Sequence, residues 1–287
     1  MTLTALALVL IAAVLHTAWN LILKQAQERA VVGWWAMLIG SLIFAPLIAV
    51  AWPLPAVIWP YIVVSACVEA AYMLLLSRAY QHGDFSLVYP IARGSAPIFL
   101  AIWSVLFLHD PPALGGVLGI LLLIAGLAAI GIGQLRNRAA GTPIGGAAIA
   151  LAVGVAFTIS IYSAIDAAAV RLADPLAYNA LVFAATALAQ APFVLIGKGK
   201  GIGQAVAVLR MEWCRAVPIG VLMLATYGLV LIAYAQSTAS YVGAIRELSI
   251  VLAAIAGWRW LGEGFGKLRM LGAALTFCGV LAIAALG

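Results

Sequence analysis

The sequence predicts an all-α membrane protein: ten transmembrane helices arranged as two inverted five-helix repeats. Three observations carry this expectation. Of the 287 residues, 66% are hydrophobic and only 8% charged, a balance that no water-soluble domain of this length shows. The apolar residues fall into ten runs of about twenty residues, each long enough for a hydrocarbon core of about 30 Å. Finally, the chain resembles itself when shifted, with Arg93 falling on Arg246 (93 + 153 = 246).

Taken in order, the spans run Leu3–Leu23, Val31–Ala51, Ala56–Arg78, Phe85–Leu108 and Ala113–Gly133 in the first half. The second half holds Ile144–Ala168, Leu176–Ile196, Arg215–Ala235, Tyr241–Leu261 and Leu268–Leu286. The first run has no basic residue ahead of it and continues through Trp19 and Asn20 to Lys24, so it reads as a retained helix, not a cleaved secretory signal. The longest expected loop covers about residues 197–214, too little for a soluble domain.

Charge orients the bundle. With loops alternating sides, one side holds Lys24, Arg29, Arg78, Arg136, Arg138, Lys198, Lys200, Arg210, Arg215, Arg259, Lys267 and Arg269, twelve of the fifteen basic residues, and the other only Arg171. The positive-inside rule then places the loop after the first helix in the cytoplasm and both termini outside a cell inner (plasma) membrane. The net charge of +6 is accounted for by these loops, so the expected partners are the lipid bilayer and a small-molecule substrate, with no nucleic acid. Cys67, Cys214 and Cys278 lie far apart, and His16, His82 and His109 share no ligand spacing; neither a disulfide framework nor a metal or other cofactor is expected.

The repeat divides the chain into residues 1–138 and 142–287. The same shift that superposes the two arginines places Asp110 on Glu263, Gly119 on Gly272 and Gly126 on Gly279. Coincidence of a buried arginine, an acid at a helix end and two glycines is not expected by chance. Five spans per copy is an odd number, so the second copy must enter the membrane from the opposite side, with a ligand site expected near the midplane between the copies.

Arg93 lies in the stretch Tyr89-Pro90-Ile91-Ala92-Arg93-Gly94-Ser95-Ala96-Pro97, inside a span. A charge there is costly unless it faces a cavity or a partner, and each proline removes a backbone donor, so the stretch predicts a locally opened helix beside a cavity. His16, Trp19 and Asn20, at i, i+3 and i+4, share one face of the first helix. Glu69 and Tyr72 share a face of the third, where Glu69 serves as counter-charge to Arg93, as a proton carrier or as partner of a substrate amine. Arg246 and Glu247 are about 100° apart around a regular helix and are expected to answer different partners. Tyr89, one turn before Arg93, and Tyr227 and Tyr234, two turns apart on the eighth span, supply amphipathic lining. Asp166 is read as solvated near the outer end of the sixth span, and Trp34, Trp35, Trp52, Trp59, Trp258 and Trp260 as interfacial anchors. Gly115, Gly119 and Gly126 on the fifth span, with Gly272 and Gly279 on the tenth, give small faces for scaffold packing or for a homodimer.

The five-plus-five pattern, the run Trp258-Arg259-Trp260-Leu261-Gly262-Glu263 at the end of the ninth span, and the following helix with Gly272 and Gly279 resemble the EamA domain of the drug/metabolite transporter superfamily. The resemblance covers nearly the whole chain as two copies and implies a ten-helix carrier of a metabolite or drug, without naming the substrate. The copies differ: His109-Asp110 stands where the second has Gly262-Glu263, and Tyr162-Ser163 where the first has Trp19-Asn20. No phosphate loop, catalytic triad or zincin pattern is present, so no enzyme is expected. An intramembrane enzyme using Glu69 and His16, or a non-transporting partner subunit, are the alternatives to a secondary carrier working by alternating access. With Glu69, Arg93, Arg246 and Glu247 summing to zero, a small polar or zwitterionic metabolite with a carboxylate, an amino acid or related compound, is favoured over a strongly cationic drug.

Single cysteines near Lys198 and at the C-terminus test the orientation: a membrane-impermeant reagent should label the C-terminus of intact cells and spare the Lys198 loop, and labelling of that loop from outside would reverse the assignment.

Overall fold

The computed structural model describes residues 1–82, 85–136, 146–196, 201–252, 255 and 267–287. Among them the protein is helical with no strand. In chain order the helices are α1 (Leu3–Lys24), α2 (Arg29–Val50), α3 (Ile58–His82), α4 (Phe85–Leu106), α5 (Leu114–Arg136), α6 (Gly146–Ala169), α7 (Pro175–Leu195), α8 (Gly201–Gln236), α9 (Ala239–Arg246) and α10 (Lys267–Leu286). Eight of these are long and apolar enough to cross a membrane, against the ten spans expected. The count is of the described residues: α4 is itself twenty-two residues long, and the ninth expected span, Tyr241–Leu261, is covered by the eight-residue α9 and by 248–252, with most of its remainder outside the described part.

Local chemistry sets several ends. Thr2 caps α1 by accepting from the Ala5 N–H at 3.1 Å. Asp174 caps α7 by accepting from Leu176 and Ala177 N–H at 3.0 and 2.8 Å, ahead of Pro175, whose missing N–H costs nothing in the first turn. At its thirty-six residues α8 is about 54 Å long, well beyond the bilayer core. The expected loop at 197–214 is therefore mostly helix from Gly201, where Glu212 accepts from the Gln27 N–H at 3.2 Å and pairs with Arg215.

Helices neighbouring in sequence are often not neighbours in space. α1 packs on α8, α3 on α6, α2 on α8 and α7, and α4 on α6. Matching α1–α5 to α6–α10 turns the α1·α8 contact into α6·α3 and α2·α8 into α7·α3, and both are present, as an inverted repeat requires. The same pseudo-symmetry governs α5 and α10, the most extensive helix contact in the molecule. A Cβ added at Gly119 would meet the Gly279 carbonyl oxygen at 2.8 Å, and one at Gly126 would meet that of Gly272 at 2.6 Å. These two contacts exchange under the repeat, so the glycine faces are used within the chain to bring backbone against backbone.

Two expectations about helices need correction. The prolines do not open α4, whose helix runs unbroken from Phe85 to Leu106. The interruption lies instead at Glu247, where α9 ends in bonds from Glu247 N–H to Ala244 O and from Ile250 N–H to Glu247 O before helix resumes at 248–252. Nor do Trp34 and Trp35 stand as free surface anchors: their indole N–H groups donate to the Ala187 and Ala205 carbonyls, each at 2.8 Å, tying α2 to α7 and α8. Trp52 and Trp59 are exposed, as anchors should be, whereas Trp258, Trp260 and Glu263 lie outside the described residues.

Gly126→Ala should destabilise the fold by about 1–3 kcal/mol, because the new methyl has only backbone to displace. Gly33→Ala, which has nothing within 4 Å, should be neutral or stabilising by up to ~1 kcal/mol. Thermal melts of the purified proteins compare the two, and equal midpoints would contradict the backbone contact.

Candidate functional site

The site is built where the two repeats bring their equivalent arginines together. Arg93 comes from α4 and Arg246 from the last turn of α9, and they are only 8% and 6% exposed. Between them sits Glu247, 1% exposed, with one carboxylate oxygen 2.8 Å from Arg93 Nε and the other 4.0 Å from Arg246 Nε. The shorter contact is close in distance but not aligned as a directed hydrogen bond, so its attraction is that of an ion pair. The break in α9 makes this arrangement favourable. It sets a cation at the carbonyl end of one helical segment and an anion at the amide end of the next, each complementing the local dipole. Thr17 Oγ1 braces the turn from α1, donating to Ala13 O at 2.9 Å and to Ser249 O at 3.3 Å.

The expected pairing of Glu69 with Arg93 does not occur. Glu69 accepts from Thr186 Oγ1 at 2.7 Å across the α3·α7 interface, while Arg93 is matched by Glu247 from the other repeat. Two elements of different repeats thus supply the pair, which no single-helix spacing could indicate. The expectation for Arg246 and Glu247 holds in part, since the close partner of Glu247 is Arg93 and its own neighbour stands farther off.

Asp166 is the larger correction. It is fully buried, not solvated, and accepts from Ser65 Oγ and Tyr178 OH, both at 2.6 Å, and from Tyr227 OH. Those donors come from α3, α7 and α8, so one carboxylate from α6 gathers three other helices. An acid with three hydroxyl donors has its oxygens satisfied without a cation, which is how a carboxylate can be carried into an apolar interior.

Other expected residues surround these charges. His16 and Trp19 stack edge to face with ring centroids 4.8 Å apart, and the Trp19 indole N–H is buried without a hydrogen-bond partner. Asn20 departs from the expected polar face because its amide donates to the His16 carbonyl of its own helix at 2.7 Å. Tyr72 meets Tyr162 at 6.2 Å between ring centroids, with Arg93, Arg246, Glu69 and Glu247 in electrostatic reach of Tyr72. Tyr234 lies in reach of Arg246 and Glu247 and faces Ser163, and Tyr227 packs on Phe183 at 5.7 Å. The backbone of Tyr89 is in α4, but its side chain lies outside the described part. Sequence reading missed Ser65, Tyr178, Thr186 and Gln190. Two spacings pointed to them: Ser65 and Glu69 are one turn apart on α3, as Thr186 and the buried Gln190 are on α7.

The arrangement has the chemistry to hold an anion: two guanidinium groups face one carboxylate, and on α1 His16, in electrostatic reach of both arginines, stacks on Trp19, whose indole N–H has no hydrogen-bond partner among the described residues. Among the described residues no group of three or more His, Cys, Asp or Glu side chains is arranged for a metal ion. The chain matches the profile of the EamA-like transporter family twice, over residues 3–132 and 146–285. It therefore belongs to that family and is a multi-pass membrane protein of a transporter family. A solved structure titled "Crystal structure of protein" is similar in fold, with a TM-score of 0.74, 17% identity, and coverage of 100% of this chain and 98% of that one. No curated protein matches the sequence.

Glu247→Ala should cost about 3–5 kcal/mol, since it removes a buried acid that two buried cations face. Arg93→Met combined with Glu247→Met should cost less than the sum of the two single changes, with a coupling of about 0.5–3 kcal/mol in a thermal-stability cycle. Additive effects would mean the two side chains are energetically independent.

Proposed function

We propose that the protein is a secondary carrier that moves a small polar or zwitterionic metabolite bearing a carboxylate, an amino acid or a related compound, across the inner membrane by alternating access. The observation that carries this reading is the pair of buried arginines, one from each repeat, with a single glutamate between them. A guanidinium offers a planar fork of donors that matches a carboxylate, and two such forks, one from each repeat, stand on either side of one internal acid, where a carboxylate ligand can exchange for it. The aromatic side chains of Trp19, Tyr72, Tyr162 and Tyr234 suit a ligand with an apolar part. The position between inverted copies supports the transport reading, because relative motion of the copies exposes such a site to one side and then the other. The basic loops support an orientation with both termini outside.

Counterflow of labelled amino acids and simple organic acids in proteoliposomes tests the reading. Uptake of at least one carboxylate compound into preloaded vesicles is expected, with none into protein-free vesicles. Arg246→Lys keeps the charge but loses the fork, and it should weaken apparent affinity about ten- to a hundredfold, the range for hydrogen bonds to charged groups. Unchanged affinity in both Arg246→Lys and Arg93→Lys would assign the arginines a structural role.

A further inference from the structure

The burial of Asp166 changes the charge balance of the core. The sequence count of Glu69, Arg93, Arg246 and Glu247 sums to zero, but the structure adds a fully buried Asp166, giving two positive and three negative groups among these described acids and arginines. Arg93 and Arg246 are both engaged with Glu247, and neither Asp166 nor Glu69 has a cation in contact. Both rely on hydroxyl donors: Ser65, Tyr178 and Tyr227 for Asp166, Thr186 for Glu69. Ser65 and Glu69 are one turn apart on α3, so the two acids lie on adjacent levels of the same helix face and within electrostatic reach of each other.

We infer that Asp166 and Glu69 form a proton-binding site, distinct from the arginine pair, that holds one shared proton and serves as the coupling-ion site of the carrier. An uncompensated negative charge inside a bilayer is expensive, and one proton on either carboxylate brings the five-group core to zero. Hydroxyls fit a proton site well, because each can donate to a carboxylate or accept from a carboxylic acid by rotating about its C–O bond, so the network stays satisfied in both states. The proton leaves as hydronium to the water on one side and is regained from the other, with no other reactant.

Among the described residues, the groups that face the two acids come from α3, α6, α7, α8 and α9. Around Asp166 stand Ser65 and Glu69 from α3, Tyr178 from α7, Tyr227 and Tyr234 from α8, Tyr162 and Ser163 from its own helix, and Arg246 from α9. Around Glu69 stand Thr186 and Tyr178 from α7, Tyr162 and Asp166 from α6, Tyr227 from α8, Tyr72 from its own helix and Arg246 from α9. Arg246 thus faces both the two acids and the proposed carboxylate site, so an anion arriving there weakens its hold on the acids and favours uptake of a second proton. This coupling rests on the transport reading, but the proton site does not.

Infrared difference spectra of the purified full-length protein, taken between mildly acidic and mildly alkaline buffer, test the site without a substrate. A protonated-carboxyl band that disappears on the alkaline side is expected in the wild type, and it should be lost or reduced to about half in Asp166→Asn and in Glu69→Gln. Where Asp166→Asn fails to fold, Glu69→Gln, at a partly buried position with one hydroxyl donor, carries the test. Absence of the band in the wild type, or a band unchanged in the folded variants, overturns the proposal. Proteoliposomes containing a pH indicator and given neutral amino acids provide the second arm: no amino-acid exchange with the band intact would sink the transport reading and leave the proton site standing.

Discussion

A guanidinium placed inside a bilayer has to be met by a negative charge or by water, and in this protein that requirement organises the centre of the molecule. Arg93 is met by Glu247, which belongs to the other repeat. The pair can form only if α4 and α9 approach each other and the chain of α9 turns at the glutamate, and both conditions are fulfilled. The turn exposes carbonyls and amides that a continuous helix would have hidden, and Thr17 on α1 answers one of them through Ser249. One electrostatic demand thus fixes the relation of three helices and creates the irregular backbone at membrane depth, tolerated because protein and not lipid surrounds it.

The fold was largely legible in the sequence because its signals are local or periodic. Apolar runs of membrane length, basic residues confined to alternate turns, and the coincidence of Arg93 with Arg246 and of Gly119 with Gly272 all survive without any knowledge of packing. The site was legible only as a set of residue types. Arg93, Arg246, Glu247, Glu69, Tyr72, Tyr227 and Tyr234 do converge, but who meets whom did not follow, since the partners come from distant helices. Asp166 shows why. Four residues from the end of its helix it reads as a solvated acid, and only the arrival of Ser65, Tyr178 and Tyr227 from three other helices reveals it as buried. The proline signal misled for a related reason: a missing amide permits a break without compelling one, and the charge at Glu247 determined where the break fell.

The two classes of contact between the repeats differ in character. At α5 and α10 the halves meet through glycine and carbonyl, with no intervening side chain to rearrange. Around Arg93, Glu69 and Asp166 they meet through ion pairs and hydroxyls, which can exchange partners at little cost in shape. The first contact behaves as a fixed frame, and the second as a polar seam that can be remade.

The buried acids also break the equality of the repeats. A chain made of two identical inverted copies would have two conformations related by exchange of the copies, open to opposite sides and degenerate in energy. Here Asp166 on α6 has no acidic counterpart on α1, since no acid occurs among residues 3–24. The degeneracy is therefore lifted: Asp166 binds α6 to α7 and α8 within the second copy, with no counterpart that would bind α1 to α2 and α3 in the first. The second copy thus carries a tie among three of its own helices that the first does not repeat at the matching position, and the two copies, alike in fold, are not interchangeable.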